Sequence, residues 1–293
     1  MACLRPLQAW YPLPGVVSKK LIFSSKNLRG GEPIKVACRK CLSCRIARTK
    51  EWGVRCWCEA SICKENSFIT LTYSPENLPS NGTLVKSHFQ NFMKCLRKRI
   101  APNTVRYYHC GEYGGQFNRA HYHAILFGFD FSDKKYLFTK DGHRYYTSAL
   151  LQNLWPMGYS TTTDVTYDTS AYVAGYIQKK ITGKIAESHY QGRLPEYSLM
   201  SLGLGKFWLD KHAADVYPSD EVVINGKKFR PPKYYDIKFK AINPDDFENI
   251  KIKRIAKLEE YAINNTADRL AVREKVLISR MSSTKNPVDV DIL

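Results

Sequence analysis

The stretch from Thr104 to Phe129 constrains the fold more than any other. Two runs rich in aromatic and aliphatic residues, Thr104–Glu112 and Ala120–Phe129, flank a break at Gly114-Gly115. That composition on either side of a glycine turn predicts two paired antiparallel strands. Side chains alternate across a strand, so His121 and His123 share one face, ~6.5–7 Å apart along the backbone. Ile125 and Phe127 continue that face, which confines its polar part to the start of the strand. With residue 112 opposite residue 121, residue 110 lies opposite 123, and Glu112 joins both histidines on one face. A one-residue slip would send Glu112 to the other side.

Two imidazoles and a carboxylate make a divalent-metal set with open positions. Its mixed nitrogen and oxygen character suits Mg²⁺ or Mn²⁺ when a phosphate supplies further oxygens. The competing arrangement pairs Glu112 with Arg119 or Arg106 and leaves two ordinary, partly exposed histidines. A second cluster follows at Tyr172-Val-Ala-Gly-Tyr176-Ile-Gln-Lys179-Lys180. On a helix, Tyr172 and Tyr176 are neighbours at i and i+4, and Lys179 and Lys180 lie on the same side. Val173, Ile177 and Ile181 form an adjacent apolar stripe. A tyrosine oxygen is a poor nucleophile at neutral pH because its pKa is about 10. A nearby cation would favour the phenolate, and lysines stabilise charge developing on a phosphate. The alternative is a tyrosine pair at the edge of a core.

Around these motifs the chain reads as α+β: a central antiparallel sheet flanked by helices, with a helical C-terminal region. Residues 1–35 form an extended arm, and residues 38–65 carry helical spacing. Ser67–Tyr73 is a strand, and Phe89, Phe92, Leu96 and Ile100 mark an amphipathic helix. Residues 130–150 read as a polar excursion and Tyr159–Thr166 as a strand. Ser170–Ile181 is a helix with Thr169 or Ser170 as its N-cap and Gly183 past its end. Residues 184–240 show no periodicity, and 245–282 predict two charged helices broken near Asn264-Asn265. The domain division is 1–64, an arm and cysteine-rich helix; 65–183, the core; and 184–293, a basic, partly helical region.

Lys and Arg number 45 against 27 Asp and Glu, a net charge of +18 over 293 residues. A chain this basic is built to meet a polyanion, most often nucleic acid. Aromatics make up 13%, which suits single strands, where bases stack on rings while cations hold phosphates. No apolar run reaches the roughly 18–20 residues of a membrane span, and no secretory signal opens the chain. The basic helices near Lys251–Lys257 suit duplex DNA, a helicase, or only solvent. No GxxxxGK[ST] loop is present, so no NTPase domain is indicated. Six of the nine cysteines fall between Cys38 and Cys63. One reading is structural Zn²⁺ held by two or three of Cys38, Cys41 and Cys44 with one or two of Cys56, Cys58 and Cys63. The other is a helix with buried thiols.

The strand FITLTY, the hairpin CGEYGGQFNRAHYHAILFG and the helix AYVAGYIQKK, in that order, resemble the three motifs of HUH-type rolling-circle replication initiators. Within that class the chain is most similar to the replication-associated proteins of gokushovirus-like microviruses, such as chlamydial phages. The segment CRKCLSCRIARTKEWGVRCWCEA adds to the likeness, which covers about residues 36–183. The resemblance implies a ferredoxin-like or RRM-like palm and an endonuclease that nicks and rejoins origin DNA. It also implies His121, His123 and Glu112 as metal ligands and Tyr172 and Tyr176 as nucleophiles. Its other implications are single-stranded and viral origin DNA as substrate, host helicase and polymerase as partners, and the host bacterial cytoplasm as location. The pattern departs at one point. Related two-tyrosine enzymes have a lysine three residues after each tyrosine; Tyr176 has Lys179, but Tyr172 has Gly175, which favours Tyr176 as the stronger nucleophile. Two other functions fit the same residues: a non-catalytic nucleic-acid-binding protein with a zinc element, and a metal-dependent hydrolase of small phosphoesters.

Overall fold

The computed structural model describes residues 3–16, 20–24, 29–114, 118–175, 180–181, 183 and 185–283. They form two compact units, residues 49–247 and residues 1–48 with 248–293. The strands are β1 Leu7–Pro12, β2 Arg29–Val36, β3 Asn66–Tyr73, β4 Arg106–Tyr113, β5 Ala120–Phe127, β6 Lys135–Lys140, β7 His143–Thr147, β8 Gly158–Thr163, β9 Tyr197–Met200, β10 Val222–Ile224 and β11 Lys227–Phe229. The helices are α1 Leu42–Ser61, α2 Lys86–Ile100, α3 Ala149–Leu154, α4 Tyr167–Gly175, α5 Ala186–Tyr190, α6 Lys206–Ser219, α7 Lys233–Ile242, α8 Pro244–Glu260 and α9 Ala267–Ser283.

The larger unit is built on a seven-stranded sheet in the order β6-β7-β8-β3-β5-β4-β9. Every neighbouring pair in it is antiparallel. Alternation gives the sheet two different apolar faces. Leu71, Tyr73, Ala120, Tyr122 and Leu126 pack with Phe89, Phe92 and Leu96 of α2 and with Leu151 of α3. Phe68, Tyr108, Cys110, Ile125 and Phe127 pack on the opposite face with Cys56 and Ala60 of α1 and with Val173 and Ala174 of α4. The sheet is therefore sandwiched between helices.

Two elements differ from the sequence expectation. Residues 130–150 are not an irregular excursion: they contain the β6–β7 hairpin and the start of α3. Its turn is Asp141-Gly142, both at positive φ, the conformation a two-residue hairpin loop requires. The second difference is the start of α4. Thr169 and Ser170 lie inside the helix, and Thr166 is its cap. The Thr169 amide donates to Thr166 Oγ1 at 3.1 Å, and the Thr166 amide donates to Thr169 Oγ1 at 2.8 Å. This is a capping box in which a threonine hydroxyl takes the part usual for Glu or Gln. The predicted end of the helix, including Tyr176, Ile177 and Lys179, lies outside the described residues. Residues beyond 183, read as aperiodic, supply the edge strand β9 and α5–α7.

The smaller unit contains the β1–β2 ladder. Its apolar centre is limited: Leu4, Cys41, Ile46, Leu270 and Leu277 are its buried members. The expected break near Asn264-Asn265 is a 3₁₀ turn, Ala262–Asn265, between α8 and α9.

Candidate metal centre

The hairpin register sets the site. Glu112 pairs directly with His121, and Cys110 with His123. The next strand places Thr72 opposite His121 and Thr70 opposite His123. Gly114 lets the turn pass close by, since a Cβ there would lie 3.2 Å from His121 Cε1.

The three side chains converge. The ligand atoms of Glu112, His121 and His123 all lie within 4.8 Å of one another. Glu112 Oε1 is 2.7 Å from His121 Nε2 and 3.4 Å from His123 Nε2. The two imidazoles stand nearly perpendicular, with centroids 4.9 Å apart. Glu112 is buried at 2%, while His121 keeps 15% of its side chain exposed. The group is thus dry at its carboxylate and open at a histidine. Burial pushes the Glu112 carboxyl up, but hydrogen bonds from His121 and His123 outweigh it and hold the group down at about 2. Arg106 and Arg119 are engaged elsewhere: Arg106 pairs with buried Glu59, and Arg119 donates to the Tyr73 carbonyl.

The second ring nitrogens fix the imidazoles. His121 Nδ1 lies 2.9 Å from the Arg119 carbonyl, which only accepts, so Nδ1 carries the proton. His123 Nδ1 lies 2.9 Å from Thr70 Oγ1. Both Nε2 atoms consequently face the carboxylate, an orientation shared with metal-binding histidines held by outer partners. A nitrogen lone pair and a carboxylate oxygen at 2.7 Å need a proton or a cation between them, so the donor set fits a divalent ion.

Tyr172 reaches this group from α4. Its ring centroid lies 5.9 Å from that of His123, at 71°, and 6.5 Å from that of Phe68. The side chain remains 42% exposed. Lys180 is exposed; Tyr176 and Lys179 lie outside the described residues. One aromatic on this face is not singled out by the sequence motifs. Tyr159, 64% exposed, sits opposite Thr72, which sits opposite His121, so Tyr159 shares the histidine face about two strand spacings, ~10 Å, away. Its position in the Tyr-Ser-Thr-Thr-Thr alternation was the available signal. Farther along, Phe138 stacks on Tyr145 at 4.8 Å, on the face carrying Thr163 and Phe68.

The cysteines group differently from the expected combination. Cys38, Cys41 and Cys44 gather with Cys3, while Cys56, Cys58 and Cys63 join no such group among the described residues. Cys56 and Cys58 are buried. In Cys56, burial pushes the thiol pKa up.

Residues 66–181 match the family model for the replication-associated protein ORF2. The chain is 33% identical over 276 residues to the replication-associated protein ORF2 of Spiroplasma virus 4, covering 87% of this chain and 86% of that protein. It is 30% identical over 272 residues to the replication-associated protein VP4 of Bdellovibrio phage phiMH2K, covering 89% and 84%. With the replication-associated protein ORF4 of Chlamydia phage 1 it shares 29% over 243 residues, covering 78% of this chain and 61% of that protein. No solved structure matches. The chain therefore belongs to the family of replication-associated proteins of microviruses.

Proposed function

We propose that this protein initiates viral rolling-circle DNA replication by nicking origin DNA through a tyrosine and later rejoining the displaced single strand. The observation that carries this reading is the exposed Tyr172 ring beside His123 of the Glu112–His121–His123 group. A phenol next to a divalent-ion donor set is what phosphoryl transfer to tyrosine needs.

In this account Glu112, His121 and His123 hold Mg²⁺ or Mn²⁺, which supplies Lewis-acid polarisation of the scissile phosphate. The tyrosine oxygen, Tyr176 or Tyr172, attacks phosphorus in line. A tyrosine–phosphate bond forms and the bond to the 3′-oxygen breaks. The phenol gives up its proton and the leaving oxygen takes one up. Lys179 and Lys180 offset charge on the phosphate oxygens. The product is a 5′-phosphotyrosine and a free 3′-hydroxyl, which primes a host polymerase. The ester retains the phosphodiester's free energy, so attack by a 3′-hydroxyl reseals the strand without ATP. Two tyrosines one helical turn apart let one cleave the regenerated origin while the other holds a 5′ end.

The substrate is locally single-stranded. Tyr159 and the Phe138–Tyr145 pair lie on the histidine face as stacking surfaces, and the +18 charge supplies phosphate attraction. The reaction belongs in the host bacterial cytoplasm, where a helicase and polymerase are at hand; no helix among the described residues is long and apolar enough to cross a membrane.

The test is a labelled origin oligonucleotide incubated with protein and Mn²⁺, then run on a denaturing gel. A metal-dependent covalent shift that chelator removes is expected. Turnover of phosphoesters without any adduct, or tight DNA binding without cleavage, would replace this reading by one of its two competitors.

A further inference from the structure

The geometry points to a second metal site, a structural zinc held by Cys3, Cys38, Cys41 and Cys44 that ties the N-terminal arm to the start of α1. It goes beyond the nicking reaction and shares no residue with the Glu112 group.

The spacing of the sulfurs is the first argument. All four Sγ atoms lie within 4.8 Å of one another, with Cys3 at 3.5 Å from Cys38 and 3.8 Å from Cys41. Tetrahedral zinc with Zn–S bonds of about 2.3 Å sets its sulfurs roughly 3.8 Å apart. A disulfide would need about 2.05 Å, and all four thiols are free. Four sulfurs at tetrahedral-edge distances select zinc or iron over the hard cations.

The backbone supplies the second argument. Cys38, Cys41 and Cys44 fall in a C-x₂-C-x₂-C run. Arg39 adopts φ +59°, turning the chain so that the Cys41 amide donates to Cys38 Sγ at 3.2 Å. The Cys38 amide donates to Cys3 Sγ, also at 3.2 Å. Sulfurs that receive amide hydrogens are stabilised as thiolates, the form that binds metal. Cys44 lies in the first turn of α1, which carries no acidic residue there, so the helix dipole favours negative sulfur. Between Glu32 and Glu51 the sequence has six Lys or Arg and no Asp or Glu, a setting that offsets the charge of a four-thiolate centre.

The third argument is need. The smaller unit buries only five apolar side chains among its described residues, Leu4, Cys41, Ile46, Leu270 and Leu277. Small units with so little core use metals or disulfides as staples. Cys3 is the ligand that makes this one a staple, because it comes from 35 residues upstream of Cys38.

The test uses the full chain purified with a non-thiol reductant and dialysed against chelator to empty the Glu112 site. One zinc per chain is expected by elemental analysis. Cobalt exchange should give a four-thiolate charge-transfer band, which only cysteines produce. Cys3→Ser should cut that band by roughly a quarter and weaken zinc binding about tenfold or more. Purified wild type lacking zinc, containing iron, or carrying a Cys3–Cys38 disulfide would overturn the proposal. So would a cobalt spectrum unchanged by Cys3→Ser. Wild-type metal content decides the matter even if that variant is unstable, and nicking activity does not enter either readout.

Discussion

The ring of Tyr172 lies 5.9 Å from the imidazole of His123, crossing it at 71°. One is fixed by a helix cap at Thr166 and the other by a strand register at Cys110. Two residues far apart in the chain are thus brought together by elements with independent local causes.

The tyrosine assignment predicts distinct outcomes for single and double variants. Tyr172→Phe and Tyr176→Phe each keep one phenol, so each should still form an adduct. The loss should be larger for Tyr176→Phe, because Lys179 follows it by three residues while Gly175 follows Tyr172. Gel-shift yields of the two singles, measured side by side, check that order.

The metal set predicts that Glu112→Gln suppresses nicking by about 10²-fold or more while leaving DNA binding within a few-fold. Single-turnover cleavage and fluorescence anisotropy on one preparation separate the two effects. Equal losses in both would assign Glu112 to folding instead.

Tyr159 predicts a binding defect without a chemical one. Removing a stacking ring costs ~1–3 kcal/mol per base, so Tyr159→Ala should weaken single-stranded DNA binding by roughly 5–150-fold. Its cleavage rate at saturating DNA should match wild type. An unchanged dissociation constant would remove Tyr159 from the DNA track.

His109 predicts an acid limb in stability. It is buried, stacked on Phe89 with centroids 3.7 Å apart, and burial pushes its pKa down to about 3. The unfolded chain takes up this proton near 6.5, whereas the folded chain resists it. The stability contribution is therefore full above about pH 6.5 and is lost progressively as pH falls toward 3. His109→Phe should flatten that slope, and urea unfolding at pH 7 and pH 4.5 measures it.

The sequence disclosed the centre of this molecule better than its edges, for physical reasons. The glycine turn and the alternation of His121, Tyr122, His123, Ala124 and Ile125 determine a register, because a slip would bury the wrong face. The start of α4 differs from the expected one by about three residues because a Thr166–Thr169 hydroxyl pair replaces the familiar Glu at the third position. The β6–β7 hairpin is hard to see although Asp141-Gly142 is a strong turn signal; the β6 strand is exposed throughout and shows no burial alternation. Strand β9 is four residues long and pairs with β4 from almost ninety residues away, so no local pattern announces it. Cys3 is invisible for the same reason. Three cysteines in C-x₂-C-x₂-C ask for a fourth, but only the fold says which one arrives.

The most direct test of the central claim is peptide mapping of the covalent adduct by mass spectrometry after reaction with an origin oligonucleotide. The account predicts a nucleotide-bearing tyrosine at 172 or 176, absent without divalent metal and absent from the His121→Ala/His123→Ala protein. An adduct on any other residue, or one that survives in Tyr172→Phe/Tyr176→Phe, would contradict it.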